Sequence, residues 1–107
     1  MTDFNDRERA EEKKYAMDEE TTFRVAARSN KLLGQWAAVK MGLTPEETDA
    51  YAKAVVQADF EEAGHEDVIR KVLGDLTSAG VEIDESDVRS ALEEKVVEAR
   101  RQLMGEV

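Results

Sequence analysis

The sequence has no cysteine. That removes disulfides and thiolate metal sites and fits a reducing compartment. It has one histidine, His65, and one proline, Pro45, so long helices can run without a built-in break. No apolar run approaches the roughly 18 residues needed to span a bilayer. The opening residues Met1-Thr2-Asp3-Phe4-Asn5-Asp6 lack the basic and apolar regions of a secretory leader. Positive charge is also short: 15 bases face 25 acids, for a formal net charge of −10. Such a surface gains nothing from DNA, RNA or an anionic membrane. The expectation is a soluble, cytoplasmic protein with no nucleic-acid partner and no direct membrane insertion.

What is present points to helices. The chain has 107 residues, enough for one domain with one core. Its apolar fraction of 41% and charged fraction of 37% are too apolar for wholesale disorder, yet more charged than a typical compact domain. Glu, Ala and Val lead, followed by Asp, Arg, Leu and Lys, and most of these are good helix formers.

Punctuation places the elements. Gly42 follows an apolar-periodic stretch and can take the left-handed conformation just past a helix end. Thr44-Pro45-Glu46-Glu47 then reads as an N-cap, a first-turn proline and a glutamate that can bond back to the cap. Gly64 and Gly80 end the next two helices, and Asp84 with Asp87 caps the last. Between these marks the apolar spacing is helical. Phe23, Ala26, Ala27, Leu33, Gly34, Ala37 and Met41 form one stripe, widened by Leu32, Trp36 and Val39. Tyr51, Val55, Phe60 and Ala63 form the second, and Val68, Ile69, Val72, Leu73 and Leu76 the third. Val88, Leu92, Val96, Ala99 and Leu103 form the fourth. Four amphipathic helices with short joints close on one another as an all-α, small antiparallel four-helix bundle over residues 21–107.

Residues 1–20 differ. They carry eight acids and four bases and few apolar positions, too few to dock firmly on the bundle. A lone helix of this length is marginal in water. The expectation is an N-terminal segment that is flexible or partly helical when free and continuous with the first bundle helix. Charge is segregated as well. No acid occurs from Phe23 to Pro45, which carries Arg24, Arg28, Lys31 and Lys40; eight acids and one base, Lys53, occur from Glu46 to Ile69. One reading is mutual neutralisation between neighbouring helices. The other is that part of the basic stripe meets an acidic partner.

Chemistry is sparse. His65 lacks a second imidazole or a thiolate near it, and reads as an exposed residue at a helix start. Asp59, Glu61, Glu62, Glu66 and Asp67 lack the spacing that wraps oxygens around calcium, so no metal site is expected. No glycine-rich phosphate loop is present, and no nucleophile stands beside a base. Gly34 and Gly74 sit inside helices, where glycine costs about 1 kcal/mol against alanine; close helix approach is the expected reason for both. The chain does not read as an enzyme.

The order of motifs is informative. Asp6-Arg7-Glu8-Arg9-Ala10, then Ala27-Arg28-Ser29-Asn30-Lys31-Leu32-Leu33-Gly34-Gln35-Trp36-Ala37-Ala38, resembles the zeta subunit of alphaproteobacterial F-type ATP synthases. The likeness continues through Tyr51-Ala52, Val55-Val56, Ala58-Asp59-Phe60-Glu61-Glu62-Ala63-Gly64, Glu66-Asp67-Val68 and Arg70-Lys71-Val72. The resemblance implies a four-helix protein that inhibits ATP hydrolysis by the F1 sector. Its N-terminal helix would enter a catalytic alpha/beta interface and meet the gamma rotor. The inhibitory residues would then be Phe4, Asp6, Arg7, Glu8, Ala10, Glu11, Tyr15 and Ala16. The chain would be peripheral to the inner membrane through ATP synthase, and monomeric when free. The family usually has an aromatic at the position of Glu11, a small residue at Lys13 and phenylalanine at Tyr15, and these departures imply weaker inhibition. The alternative function is a bundle that weakly binds ATP or ADP as a sensing module. It would stack adenine on Trp36 and face phosphates with Arg24, Arg28, Lys31 or Lys40, with no tightly held cofactor.

Overall fold

In the computed structural model the backbone is described for residues 2–61 and 65–103, and the side chains for 21–59 and 65–103. Four helices follow in order: α1 (Thr2–Met41), α2 (Pro45–Glu61), α3 (His65–Ser78) and α4 (Glu85–Leu103). No strand occurs among the described residues.

The helix boundaries are set by local chemistry that the sequence displays. After α1, Gly42 takes φ +73°. Its N–H donates to Val39 O at 3.1 Å and Leu43 N–H donates to Ala38 O at 3.0 Å. This pair of bonds satisfies carbonyls that the helix end would otherwise leave open. Gly80, at φ +86°, repeats the device after α3, with Val81 N–H donating to Leu76 O at 3.0 Å. At the start of α2, Thr44 N–H donates to Glu47 Oε1 at 2.8 Å, and Glu47 N–H donates to Thr44 Oγ1 at 3.2 Å. Asp84 and Asp87 make the same reciprocal pair before α4, at 3.2 and 3.0 Å. Each cap contributes roughly 0.5–2 kcal/mol.

Leu33, Val55, Val68, Val72, Leu76 and Val88 are fully buried and join α1, α2, α3 and α4 in one core. Trp36, Met41, Tyr51, Leu73 and Val96 pack on its edge. α1 is the central element: it touches all three other helices, whereas α2 and α4 do not meet among the described residues. α2 runs back along α1, with Gly34 against Ala52 and Val55. α4 also runs back along α1 and ends beside Arg28, whose Nη1 donates to Gln102 Oε1 at 3.0 Å. α3 packs on α4, and its first turn at Glu66 meets Arg89 in the second turn of α4.

Three expectations about packing need correction. Gly34 is a close-approach glycine: a Cβ there would lie 2.7 Å from the Ala52 Cα. Gly74 is not. It is exposed, and an added Cβ would meet nothing within 4 Å. Phe23 and Val39, placed on the first apolar stripe, are 56% and 74% exposed. Val39 projects from the last turn of α1, where no neighbouring helix covers that side. Conversely, Ser29 and Asn30 are fully buried, a fact no apolar stripe could reveal. Ser29 donates to Val25 O at 2.6 Å within its own helix. The Asn30 amide has no hydrogen-bond partner among the described residues, a burial that typically costs about 1–3 kcal/mol.

Candidate functional site

α1 has 40 residues, a length of about 60 Å at 1.5 Å per residue. The molecule's longest extent is 62 Å against 25 and 22 Å for the others. α2 and α4 have 17 and 19 residues, less than half that length. They pack along the Met41 end of α1, so its first half extends past the bundle. The backbone of Phe4, Asp6, Arg7, Glu8, Ala10, Glu11, Tyr15 and Ala16 belongs to that half; their side chains lie outside the described residues.

The five candidate nucleotide contacts fall into two groups. Arg24, Arg28 and Lys31 recur at four- and three-residue spacing and share one side of α1. Trp36 and Lys40 share another, since five residues from Lys31 to Trp36 turn the helix by roughly 140° beyond a full revolution. The Lys40 ammonium lies 5.1 Å from the Trp36 ring centre, so one side of the indole already carries a cation. Lys31 borders a groove of about 490 Å³ between α1 and α2, lined by Lys31, Asp49, Ala52, Lys53, Val56 and Gln57.

Two polar clusters join helices rather than forming a reactive centre. Tyr51 Oη donates to Asp75 Oδ2 at 2.7 Å, tying α2 to α3. Lys71 Nζ reaches the same carboxylate at 3.2 Å and lies 5.4 Å from the Tyr51 ring centre. Burial, and then the bond to Asp75, push the Tyr51 hydroxyl well above its ordinary value, so it stays protonated. Arg89 bonds both oxygens of Glu66, one at 2.9 Å, and its Nε donates to Glu85 Oε2 at 2.9 Å. The hydrogen bond from Arg89 holds the Glu66 carboxyl below the usual range. The bond from the Thr44 backbone does the same for Glu47.

His65 is exposed at the start of α3 and borders a shallow hollow of about 200 Å³ with Ile69, Arg89, Leu92, Glu93 and Val96. Asp59, Glu66 and Asp67 join no metal-binding group among the described residues; Glu61 and Glu62, on the same proposed cluster, have side chains outside them. Among the described residues no helix is long and apolar enough to cross a membrane. Sequence reading missed the Arg89 clamp altogether. Its partner Glu66 is 23 positions away, beyond the reach of any local spacing rule.

Charge pairing follows a clear division. Arg70, Lys71, Arg89 and Lys95 in α3 and α4 each contact a carboxylate. Among the described residues Arg28, Lys31, Lys40 and Lys53, and Arg100 and Arg101 at the end of α4, contact none, and Arg28 instead uses the neutral Gln102 amide. Among the described residues no ion pair joins these bases to the acids of α2; the side chains of Glu61 and Glu62 lie outside the described residues.

Comparison with known proteins agrees with this architecture. No curated protein matches the sequence. A solved solution NMR structure is 50% identical, superposes with a TM-score of 0.68, and covers 79% of this chain and 96% of its own. A family model described as ATPase inhibitor subunit zeta matches residues 1–102. With nearly the whole length matched, the chain belongs to the ATPase inhibitor subunit zeta family.

Proposed function

We propose that this protein inhibits ATP hydrolysis by the F1 sector of an ATP synthase, lodging the first turns of α1 at a catalytic alpha/beta interface within reach of the gamma rotor. The observation that carries the reading is the family match from residue 1 to residue 102, which includes the half of α1 that extends past the bundle. A helix offered to a groove needs apolar anchors on a charged frame, and the segment supplies Phe4 and Tyr15 among acids and bases. The bundle is the handle, with a core that runs from Val25 to Ala99 among the described residues. The protein acts as a non-catalytic regulator, held at the membrane only through the enzyme it inhibits.

Glu11 sets the strength of the inhibition. An aromatic anchor buried at that position would contribute about 1.5–3 kcal/mol, whereas a carboxylate entering a dry pocket is unfavourable. Glu11→Phe is therefore expected to lower the inhibition constant about tenfold or more in ATP-hydrolysis assays on the cognate F1. The direct test compares the intact chain with one lacking residues 1–18. Loss of inhibition by the shortened chain is expected, and equal potency would exclude the insertion mechanism.

Weak binding of ATP or ADP is the second reading. It has less support, because the cations on the Arg28 side of α1 and the Trp36 ring face different ways. Chemical-shift perturbation by millimolar nucleotide at Trp36 and Lys31 together would revive it.

A further inference from the structure

In a chain with ten excess negative charges, one surface breaks the pattern. Arg28 and Lys31 lie on the same side of α1, and Lys31 shares a groove with Lys53 of α2. Arg24 stands one turn before Arg28 on the same side. α4 comes to its end beside Arg28, with Arg100 and Arg101 in its last turn. Among the described residues the carboxylates nearby include Asp49, on the groove lining, and Glu98, which accepts bonds from Lys95 and Gln102 at 3.4 Å each. Neither is within ion-pair reach of Arg28, Lys31 or Lys53 among the described residues.

The position of this surface matters as much as its sign. It lies on one side of α1, on the part of the bundle that faces the projecting half. Any crevice that admits the first turns of α1 brings its own rim toward this collar. Elsewhere Arg70, Lys71, Arg89 and Lys95 are held by carboxylates of the bundle; here Lys31 and Lys53 are exposed and contact no carboxylate among the described residues.

We propose that Arg28, Lys31 and Lys53 form a docking collar for an acidic protein surface on the rim of the crevice that receives the N-terminal helix. The inference rests on the insertion reading above and adds a second contact to it. The collar steers and orients the approach, because charges around a docking site act on encounter before contacts close. A net-negative protein approaching another acidic surface would otherwise be repelled, and the collar turns the correct end forward.

The test uses the full chain and the cognate F1, following the onset of inhibition over a range of salt concentrations. A triple variant, Arg28→Gln/Lys31→Gln/Lys53→Gln, is compared with Arg70→Gln/Lys71→Gln/Lys95→Gln, which removes the same charge from the paired bases. The collar variant is expected to inhibit about tenfold more slowly at low salt, in line with the gain that steering provides, and to lose most of its salt dependence. Inhibition at saturation should be retained, and the second triple should keep the wild-type rate within about twofold. Circular dichroism checks folding; the double variant Lys31→Gln/Lys53→Gln, altering two exposed side chains, serves if the triple unfolds. An unchanged rate, or equal slowing by both triples, overturns the collar while leaving insertion intact. Absence of inhibition by the wild-type chain overturns both.

Discussion

The seam between α1 and α2 and the seam between α3 and α4 hold helices together by different means. At the first, Gly34 lets two backbones approach until nothing larger than hydrogen fits against Ala52, and the bases nearby contact no carboxylate among the described residues. At the second, Arg89 spans from α4 to Glu66 of α3 and back to Glu85 on its own helix. Shape governs one contact and charge assists the other. A contact of shape is indifferent to salt and pH but intolerant of added atoms. A contact of exposed charges tolerates substitution and yields to its solvent.

The comparison can be broken most directly at its glycines. Gly34→Ala places a methyl 2.7 Å from backbone and 3.3 Å from a Val55 methyl. Overpacking of this kind costs about 1–3 kcal/mol, partly offset by the better helix propensity of alanine. A net loss of about 1 kcal/mol in denaturant unfolding is expected; a stabilised variant would show that the seam has slack. The identical change at Gly74 meets open space and should stabilise by about 0.5–1 kcal/mol. One substitution at two mid-helix sites should thus give opposite signs.

The smallest effect belongs to the charged seam. Glu66 is held below its ordinary value of 4.5 by Arg89. Its contribution to stability is complete above that ordinary value and is withdrawn as pH falls through the lowered folded value. Melting temperatures of the wild type should therefore fall more steeply below about pH 4.5 than those of Arg89→Gln, which frees Glu66 from its partner. The difference should shrink as salt is added. Parallel pH profiles would mean that the clamp contributes nothing to folding.

Much of the architecture was legible because it is written locally. Thr44 with Glu47, Asp84 with Asp87, and the glycines at 42 and 80 are recognisable within a few positions, and each works in the fold as its spacing suggests. Burial was less legible, for a different reason. Phe23 and Val39 have the right hydrophobicity and nearly the right phase, yet whether a neighbour covers them depends on where other helices end. Asn30 shows the reverse error: a polar residue wholly enclosed, on a face the apolar count had no means to extend. Gly34 and Gly74 carry the same local signal and have opposite surroundings. The proposed inhibitory positions came from resemblance rather than from pattern, because a charged, marginal helix announces availability but not its destination. The division between paired and unpaired bases needed three dimensions, since Arg89 and Glu66 meet only once α3 has packed on α4.

The unbroken course of α1 from Thr2 to Met41 ties blade to handle like a solid key. Seating the blade fixes the azimuth of the handle, and with it the direction in which every side chain of the body faces. One residue inserted near position 20 would swing the body by about 100° and move it by about 1.5 Å, without touching any contact at either end.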